Sequence, residues 1–162
     1  MILRILTCNY LIDVAAISWV TAQLLKTLVF YLKNKKMDFK TLSGAGGMPS
    51  AHSALVCSVA IDTAHKYGLS SPYFSFALTL AMIVMYDAMG VRRAAGNQAK
   101  TINQIQDYLK KNQSKLPDGE KYAAGAIHRL DESLGHKPVE VLGGAVLGAC
   151  VAAVSIVWLH WA

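Results

Sequence analysis

The chain has 162 residues, a length that fits one domain. Hydrophobic residues make up 54% of it and charged residues only 16%, which together with its long apolar runs is unusual for a soluble domain. The net charge is +6 with the basic residues clustered, and the three cysteines form no CxxC pair and no even-numbered set. Neither a disulfide scaffold nor a zinc site is therefore indicated.

Four apolar segments predict helices that cross a bilayer. The first, 9–32, is apolar apart from Asp13, Gln23 and Lys26, and roughly 20 such residues can span a membrane as a helix. The other three segments are 49–66, 72–91 and 138–161, and two of the four are marginal by length. We expect an all-α integral membrane bundle of about four transmembrane helices that forms one domain over residues 1–162. The alternative is a soluble all-α domain with buried helices, although such helices usually carry a charged face.

The second segment follows a glycine-rich stretch, GAGGMPSAHS, at residues 44–53. Proline favours the first position of a helix, so we expect the helix to begin at Pro49. The backbone amides of Ser50, Ala51 and His52 would then lack intrahelical acceptors and could bind an anion, with an imidazole beside it. The alternative is a glycine-rich turn before an ordinary helix, with His52 as a surface residue.

The region between the third and fourth segments is amphipathic rather than apolar. Two rows of apolar residues recur there at near-helical spacing on either side of a Pro-Asp-Gly turn at 117–119. The rows are Ile102, Ile105, Leu109 and Leu116, and then Tyr122, Ile127, Leu130 and Leu134. With Gly135 as the stop of the second helix, the pattern predicts a helical hairpin inserted at about 101–135 on the cytoplasmic face. Its role is either to cover the bundle or to bind a partner.

The basic residues predict the orientation in the membrane. Cytoplasmic loops carry an excess of Lys and Arg, and here they cluster after the first segment and between the third and fourth. Only Arg4 and Lys66 fall on the opposite side. We therefore expect both termini outside and both basic loops in the cytoplasm. We also expect a location in the bacterial plasma membrane, contact with membrane lipids, and no nucleic acid partner.

This layout brings polar groups of four helices to one membrane face. The second and fourth segments begin at the cytoplasmic side, the third ends there, and Lys26 lies about two turns up the first. This layout predicts a site for a dianion such as a phosphate monoester. Two helix N-termini that begin with proline would face the dianion, together with the cations Lys26, Arg92 and Arg93. The alternatives are that the arginines only set the topology and that Lys26 extends to the headgroups.

His136 and Glu140 are four residues apart at the start of the fourth segment. With Pro138 at the first helical position, the carboxylate can reach back to the imidazole just outside the helix. A carboxylate on one ring nitrogen fixes the tautomer and leaves the other nitrogen as a nucleophile or base. The alternative is a capping interaction without chemistry.

Three blocks of sequence resemble a known family. The strings GGMPSAHSA, YDAMGVRRAAGNQA and LGHKPVEVLGG look like the divergent, membrane-bound branch of the type 2 phosphatidic acid phosphatases, which are related to vanadium-dependent haloperoxidases and bacterial acid phosphatases. The resemblance implies that His136 is the nucleophile, that Glu140 orients it and that His52 is the general acid. It also implies six core helices, so that four spans leave room for a homodimer to complete the bundle.

The expected function is a metal-independent phosphatase without a cofactor. It would hydrolyse a lipid phosphate monoester or pyrophosphate through a phosphohistidine intermediate. The expected phosphate-binding residues are Lys26, Ser50, Ala51, Arg92 and Arg93. The alternatives are a non-catalytic membrane protein that binds a phosphorylated lipid, and a magnesium-dependent phosphotransferase that uses Asp87 and Glu140.

Overall fold

The computed structural model describes residues 9–35, 47–112, 128–132 and 134–158, and within these ranges every regular element is a helix. The five helices are α1 (Tyr10–Asn34), α2 (Ala51–Tyr67), α3 (Pro72–Met89), α4 (Val91–Lys111) and α5 (Pro138–Trp158). Three helical stretches are long and apolar enough to cross a membrane, namely 10–34, the joined run 72–111 and 138–157. The predicted all-α membrane bundle is confirmed.

The second predicted span, 49–66, corresponds to α2, which is the shortest of the described helices at 17 residues. At 1.5 Å per residue it is about 25 Å long, less than the roughly 30 Å of a bilayer core. Despite this short length, α2 can lie within the bilayer because it packs against α1, α3 and α5. The other helices thus shelter the short helix from lipid, and its polar residues Ser53, Ser58 and Asp62 are buried.

Small residues allow these helices to approach closely. Cβ atoms built on Gly144 and Gly148 of α5 would collide with the carbonyl oxygens of Ser50 and Ala54. Close backbone approach at glycine is a common way of packing helices where the bilayer supplies no hydrophobic driving force. The two glycines therefore set the spacing between α2 and α5, and with it the spacing between the residues at the start of each helix.

Contacts at the two ends of α1 show that it runs antiparallel to α2. At one end the Tyr10 hydroxyl donates to Asp62 Oδ1 at 2.9 Å, and both residues contact Ser155 near the end of α5. At the other end the Lys26 side chain lies beside Gly47, just before α2. The bundle therefore has one polar end that includes Lys26, the start of α2 and the start of α5, and a second polar cluster at the opposite end.

The predicted hairpin differs from the structure at both of its arms. The first helix, α4, begins at Val91 rather than near Thr101, and only Gly90 separates it from α3. The end of the second arm is not helical: residues 128–132 and 134 form an irregular segment that runs along α4. The reason is that Asn103 on α4 binds the backbone of this segment, so that its polar groups need no helix of their own. The turn at 117–119 and residues 116, 122 and 127 lie outside the described residues.

Candidate active site

A cavity of about 220 Å³ lies at the polar end of the bundle. Its walls come from the start of α2, the last turns of α3, the start of α4 and the segment that precedes α5. The lining residues are His52, Ile83, Val84, Asp87, Ala88, Arg92, Gly135 and His136. Two of the three predicted catalytic residues thus share one cavity, although they are 84 positions apart in the sequence (136 − 52).

His136 is buried and is held by two hydrogen bonds. Its backbone amide donates to the carbonyl of Ala88 at 2.9 Å, which attaches it to the last turn of α3. Its side chain is only 3% exposed, and its Nδ1 lies 3.0 Å from Glu140 Oε2. The contact predicted from the spacing of four is therefore present, with α5 beginning at Pro138 as expected.

The second ring nitrogen of His136 is available. Nε2 is buried and has no hydrogen-bond partner among the described residues. Since Glu140 also accepts a hydrogen bond from the Lys137 amide at 3.1 Å, its carboxylate is fixed and favours the tautomer with the proton on Nδ1. In that tautomer Nε2 carries a lone pair at a cavity wall, which is the state that a nucleophile or a base requires.

His52 lies across the cavity from His136. The two ring centroids are 6.2 Å apart and the rings meet edge to face. Arg92, His136 and Lys26 all lie within electrostatic range of His52, as does Asp87. The two imidazoles are therefore surrounded by two cations, Arg92 and Lys26, and by two carboxylates, Asp87 and Glu140.

The start of α2 differs from the prediction in its register. The helix begins at Ala51 with Ser50 as its N-cap, so Pro49 precedes the helix instead of occupying its first position. Ser50 Oγ accepts a hydrogen bond from the Ser53 amide at 3.3 Å, and the Ser50 amide itself donates to the Glu140 carbonyl at 3.0 Å. The predicted anion-binding amide of Ser50 is thus engaged in joining the starts of α2 and α5. The amides of Ala51 and His52 are the ones without an intrahelical acceptor at this helix start.

The predicted cations lie at different distances from the cavity. Arg92 lines it, and its Nε donates to Asp87 Oδ2 at 2.6 Å. Lys26 is 3% exposed and interacts electrostatically with Glu140 and His52, but it is not among the lining residues. Arg93 is exposed, and its backbone packs against Gly135. Of the two adjacent arginines, Arg92 is therefore the one that faces the cavity.

Ala51 is buried and belongs to an apolar cluster with Ala22 and Ala54. Its side chain therefore packs the interface between α1 and α2, and only its backbone amide remains suitable for the predicted phosphate contact. Among the described residues no group of three or more His, Cys, Asp or Glu side chains is arranged to hold a metal ion.

Sequence reasoning missed several residues of this site. Ile83, Val84 and Ala88 line the cavity from α3, and nothing distinguished them from other apolar residues of a span. Gly135 does not end a helix, because residues 128–132 and 134 are not helical. It adopts a left-handed φ of 89° and packs against the backbone of Arg92 and Arg93. A Cβ at position 135 would collide there, so glycine is required beside His136. Asp87 also lines the cavity, although the sequence predicts it only as a metal ligand of the phosphotransferase alternative.

Comparison with known proteins identifies the family of this chain. The model of the family described as the divergent PAP2 family matches residues 7–151. The chain is also 37% identical over 128 residues to the uncharacterized membrane protein YuiD of Bacillus subtilis strain 168, an alignment that covers 78% of this chain and 81% of that protein. No solved structure matches the chain. Because the family model covers most of the chain, including both histidines and Glu140, this integral membrane protein belongs to the divergent PAP2 family.

Proposed function

We propose that the protein is a phosphatase of lipid phosphate monoesters or pyrophosphates that works through a phosphohistidine on His136. One observation carries the proposal. The imidazole of His136 lines a cavity, is hydrogen-bonded at Nδ1 to a fixed carboxylate, and has an Nε2 without a partner among the described residues. Leaving a buried polar atom without a hydrogen-bond partner is costly, and a phosphoryl group bound in the cavity would supply one for Nε2.

The proposed first step is attack by the Nε2 lone pair on phosphorus, which forms the N–P bond as the P–O bond to the leaving group breaks. The Nδ1 proton stays on His136 and strengthens its bond to Glu140 as the ring becomes positive. His52 donates a proton to the departing oxygen. Because the two ring centroids are 6.2 Å apart, one phosphoryl group between them can contact both histidines.

In the second step water attacks the phosphohistidine. The N–P bond breaks, inorganic phosphate leaves, and His52 takes the proton that water loses. Arg92, held at the cavity by Asp87, stabilises the charge on the non-bridging oxygens, and Lys26 adds a second positive charge nearby. Positioning and charge stabilisation supply most of the catalysis in phosphoryl transfer, so these groups are sufficient without a metal ion.

The walls of the cavity favour a lipid as the substrate. Ile83 and Val84 contribute an apolar side, and Ile83 is 60% exposed on α3, whose outer surface is apolar along its length. A phosphate headgroup bound at His136 would thus have its alkyl portion next to the lipid-facing surface of α3. We infer that the headgroup enters the cavity while the chains remain in the bilayer. The predicted cytoplasmic orientation would make the inner leaflet the source.

The test compares two substrates in purified protein. His136→Ala should abolish turnover of both a lipid phosphate and an aryl phosphate, together with any acid-labile phosphoenzyme. His52→Ala should lower turnover of the lipid phosphate by the 10²–10⁴-fold typical of general acid loss. It should spare much of the phosphoenzyme formation from the aryl phosphate, because a phenolate leaves without a proton. His65→Ala, which removes an exposed imidazole outside the cavity, is the matched control.

Two outcomes would contradict the proposal. If His52→Ala removed the phosphoenzyme and His136→Ala retained it, the roles of the histidines would be reversed. If the unmutated protein bound lipid phosphates with neither turnover nor phosphoenzyme, it would be a non-catalytic binding protein.

A further inference from the structure

We propose that Asn103 on α4 is a positioning residue for His136, an inference that rests on the proposed phosphatase function for its kinetic part only. Asn103 is not among the residues that line the cavity. It acts through the irregular segment of residues 128–132, 134 and 135, here called the strap, which leads to His136. Nothing in the sequence singles out this asparagine, which lies within an amphipathic helix among other polar residues.

The side chain of Asn103 is fully used in holding the strap. Its Nδ2 donates to the Leu130 carbonyl at 2.9 Å and to Glu132 Oε1 at 2.8 Å, while its Oδ1 accepts from the Leu130 amide at 2.9 Å. Asn103 is only 1% exposed. A side-chain amide that pairs with both the N–H and the C=O of one residue replaces the hydrogen bonds of a neighbouring strand or helix. This explains how the strap remains in place on α4 without regular secondary structure.

The contacts continue along the strap as far as the nucleophile. Gly96, two turns before Asn103 on the same face of α4, lies directly against the Leu134 carbonyl, where a Cβ would not fit. Gly135 then packs on the backbone of Arg92 and Arg93, and the His136 amide bonds to the Ala88 carbonyl. The strap is therefore fastened to α4 at Leu130, Leu134 and Gly135 before it delivers His136 into the cavity.

This arrangement makes the position of the imidazole depend on α4. His136 precedes α5, so its ring is located by the strap on one side and by the contact with Glu140 on the other. Loss of Asn103 would leave the N–H and C=O of Leu130 without these partners, and the strap would have to move to regain them from water. A displacement of a reacting group by about 1 Å can cost on the order of 10²-fold in rate.

The kinetic experiment uses Asn103→Ala with Asn97→Ala as its control. Asn97 is the same residue type at an exposed position of the same helix. We expect Asn103→Ala to lower kcat by about 10- to 100-fold while KM is retained, because Arg92, Lys26 and the start of α2 still bind the phosphate. A merely structural role would instead lower the amount of folded protein and leave kcat per folded molecule unchanged.

A second measurement does not depend on activity. Diethyl pyrocarbonate modifies accessible neutral imidazoles, and the rate at His136 can be followed by mass spectrometry of its peptide. Because His136 is 3% exposed, modification should be slow in the unmutated protein and several-fold faster in Asn103→Ala. Gly96→Ala, which pushes the strap away at Leu134, should accelerate the modification of His136 in the same way. It replaces Asn103→Ala in this measurement if Asn103→Ala does not fold.

A rescue variant makes the test more specific. Asn103→Asp keeps an acceptor for the Leu130 amide but loses the donor and places a carboxylate against Glu132, so it should be as impaired as Asn103→Ala. Adding Glu132→Gln removes the repulsion and supplies an amide donor, and part of kcat should return. Unchanged kcat and unchanged modification of His136 in both Asn103→Ala and Gly96→Ala would overturn the proposal. If the unmutated protein has no phosphatase activity, the proposed function fails, and the modification rate alone still decides whether Asn103 positions His136.

Discussion

The contact between Glu140 and His136 leads to the most direct prediction about the chemistry. Glu140 Oε2 lies 3.0 Å from His136 Nδ1 and 3.1 Å from the Lys137 amide nitrogen. Glu140→Gln conserves the size of the side chain and an oxygen that can accept from the same two donors. It removes the negative charge that stabilises the ring of His136 when this becomes positive during attack on phosphorus.

The magnitude follows from that single contact. A hydrogen bond to a charged group contributes about 1.5–3 kcal/mol, which at about 1.36 kcal/mol per decade corresponds to a fall in kcat of roughly 10- to 150-fold. The amide can also turn its NH₂ toward Nδ1 and select the wrong tautomer, which would increase the loss. We therefore expect Glu140→Gln to form phosphoenzyme from an aryl phosphate more slowly than His52→Ala does, whereas His136→Ala should form none.

The assay is single-turnover formation of the acid-labile phosphoenzyme from an aryl phosphate, with steady-state release of phosphate measured in parallel. Asp118→Asn, which removes one negative charge at a position between α4 and the strap in the sequence, is the matched control for the change in net charge. The reasoning would be refuted if Glu140→Gln formed phosphoenzyme at the rate of the unmutated protein. In that event the contact with His136 would be a helix cap without a catalytic role.

Three further predictions concern orientation, metal dependence and packing. In a background without native cysteines, Gln104→Cys should react with an impermeant reagent only after the inner face is exposed, whereas Ser70→Cys should react in intact cells. The opposite pattern would place the site outside. Phosphatase activity should survive EDTA and be inhibited by vanadate, a mimic of five-coordinate phosphorus. Loss of activity with EDTA and its recovery with magnesium would favour the phosphotransferase alternative. Gly148→Ala should destabilise the protein by about 1–3 kcal/mol in an unfolding titration, because its Cβ collides with the Ala54 backbone. Gly143→Ala should lower the free energy of unfolding by less, since its Cβ meets the flexible side chain of Met48 at 3.1 Å. Equal destabilisation by the two substitutions would show that α2 and α5 can move apart to accept a Cβ at Gly148.

The spans and the pairing of His136 with Glu140 could be predicted because both are local. Apolar length alone identifies α1, α3 and α5, and the spacing of four at the start of α5 brings carboxylate and imidazole together whatever surrounds them. The resemblance of three short blocks to a phosphatase family likewise required only the amino-acid sequence, and the family assignment is confirmed.

The residues that complete the site depend on contacts that no local pattern encodes. Arg92 lines the cavity and Arg93 does not, because Gly135 packs on their backbone from 42 positions away (135 − 93) and thereby fixes which face of α4 is covered. The predicted second helix of the hairpin ends as a strap because Asn103 satisfies the backbone of Leu130. The periodicity of apolar residues indicates which side chains are buried. It does not indicate where a non-helical backbone finds hydrogen-bond partners, which depends on residues far away in the sequence. The sequence by itself therefore determined the membrane bundle and the pairing of His136 with Glu140, and the tertiary structure decided which groups surround that imidazole.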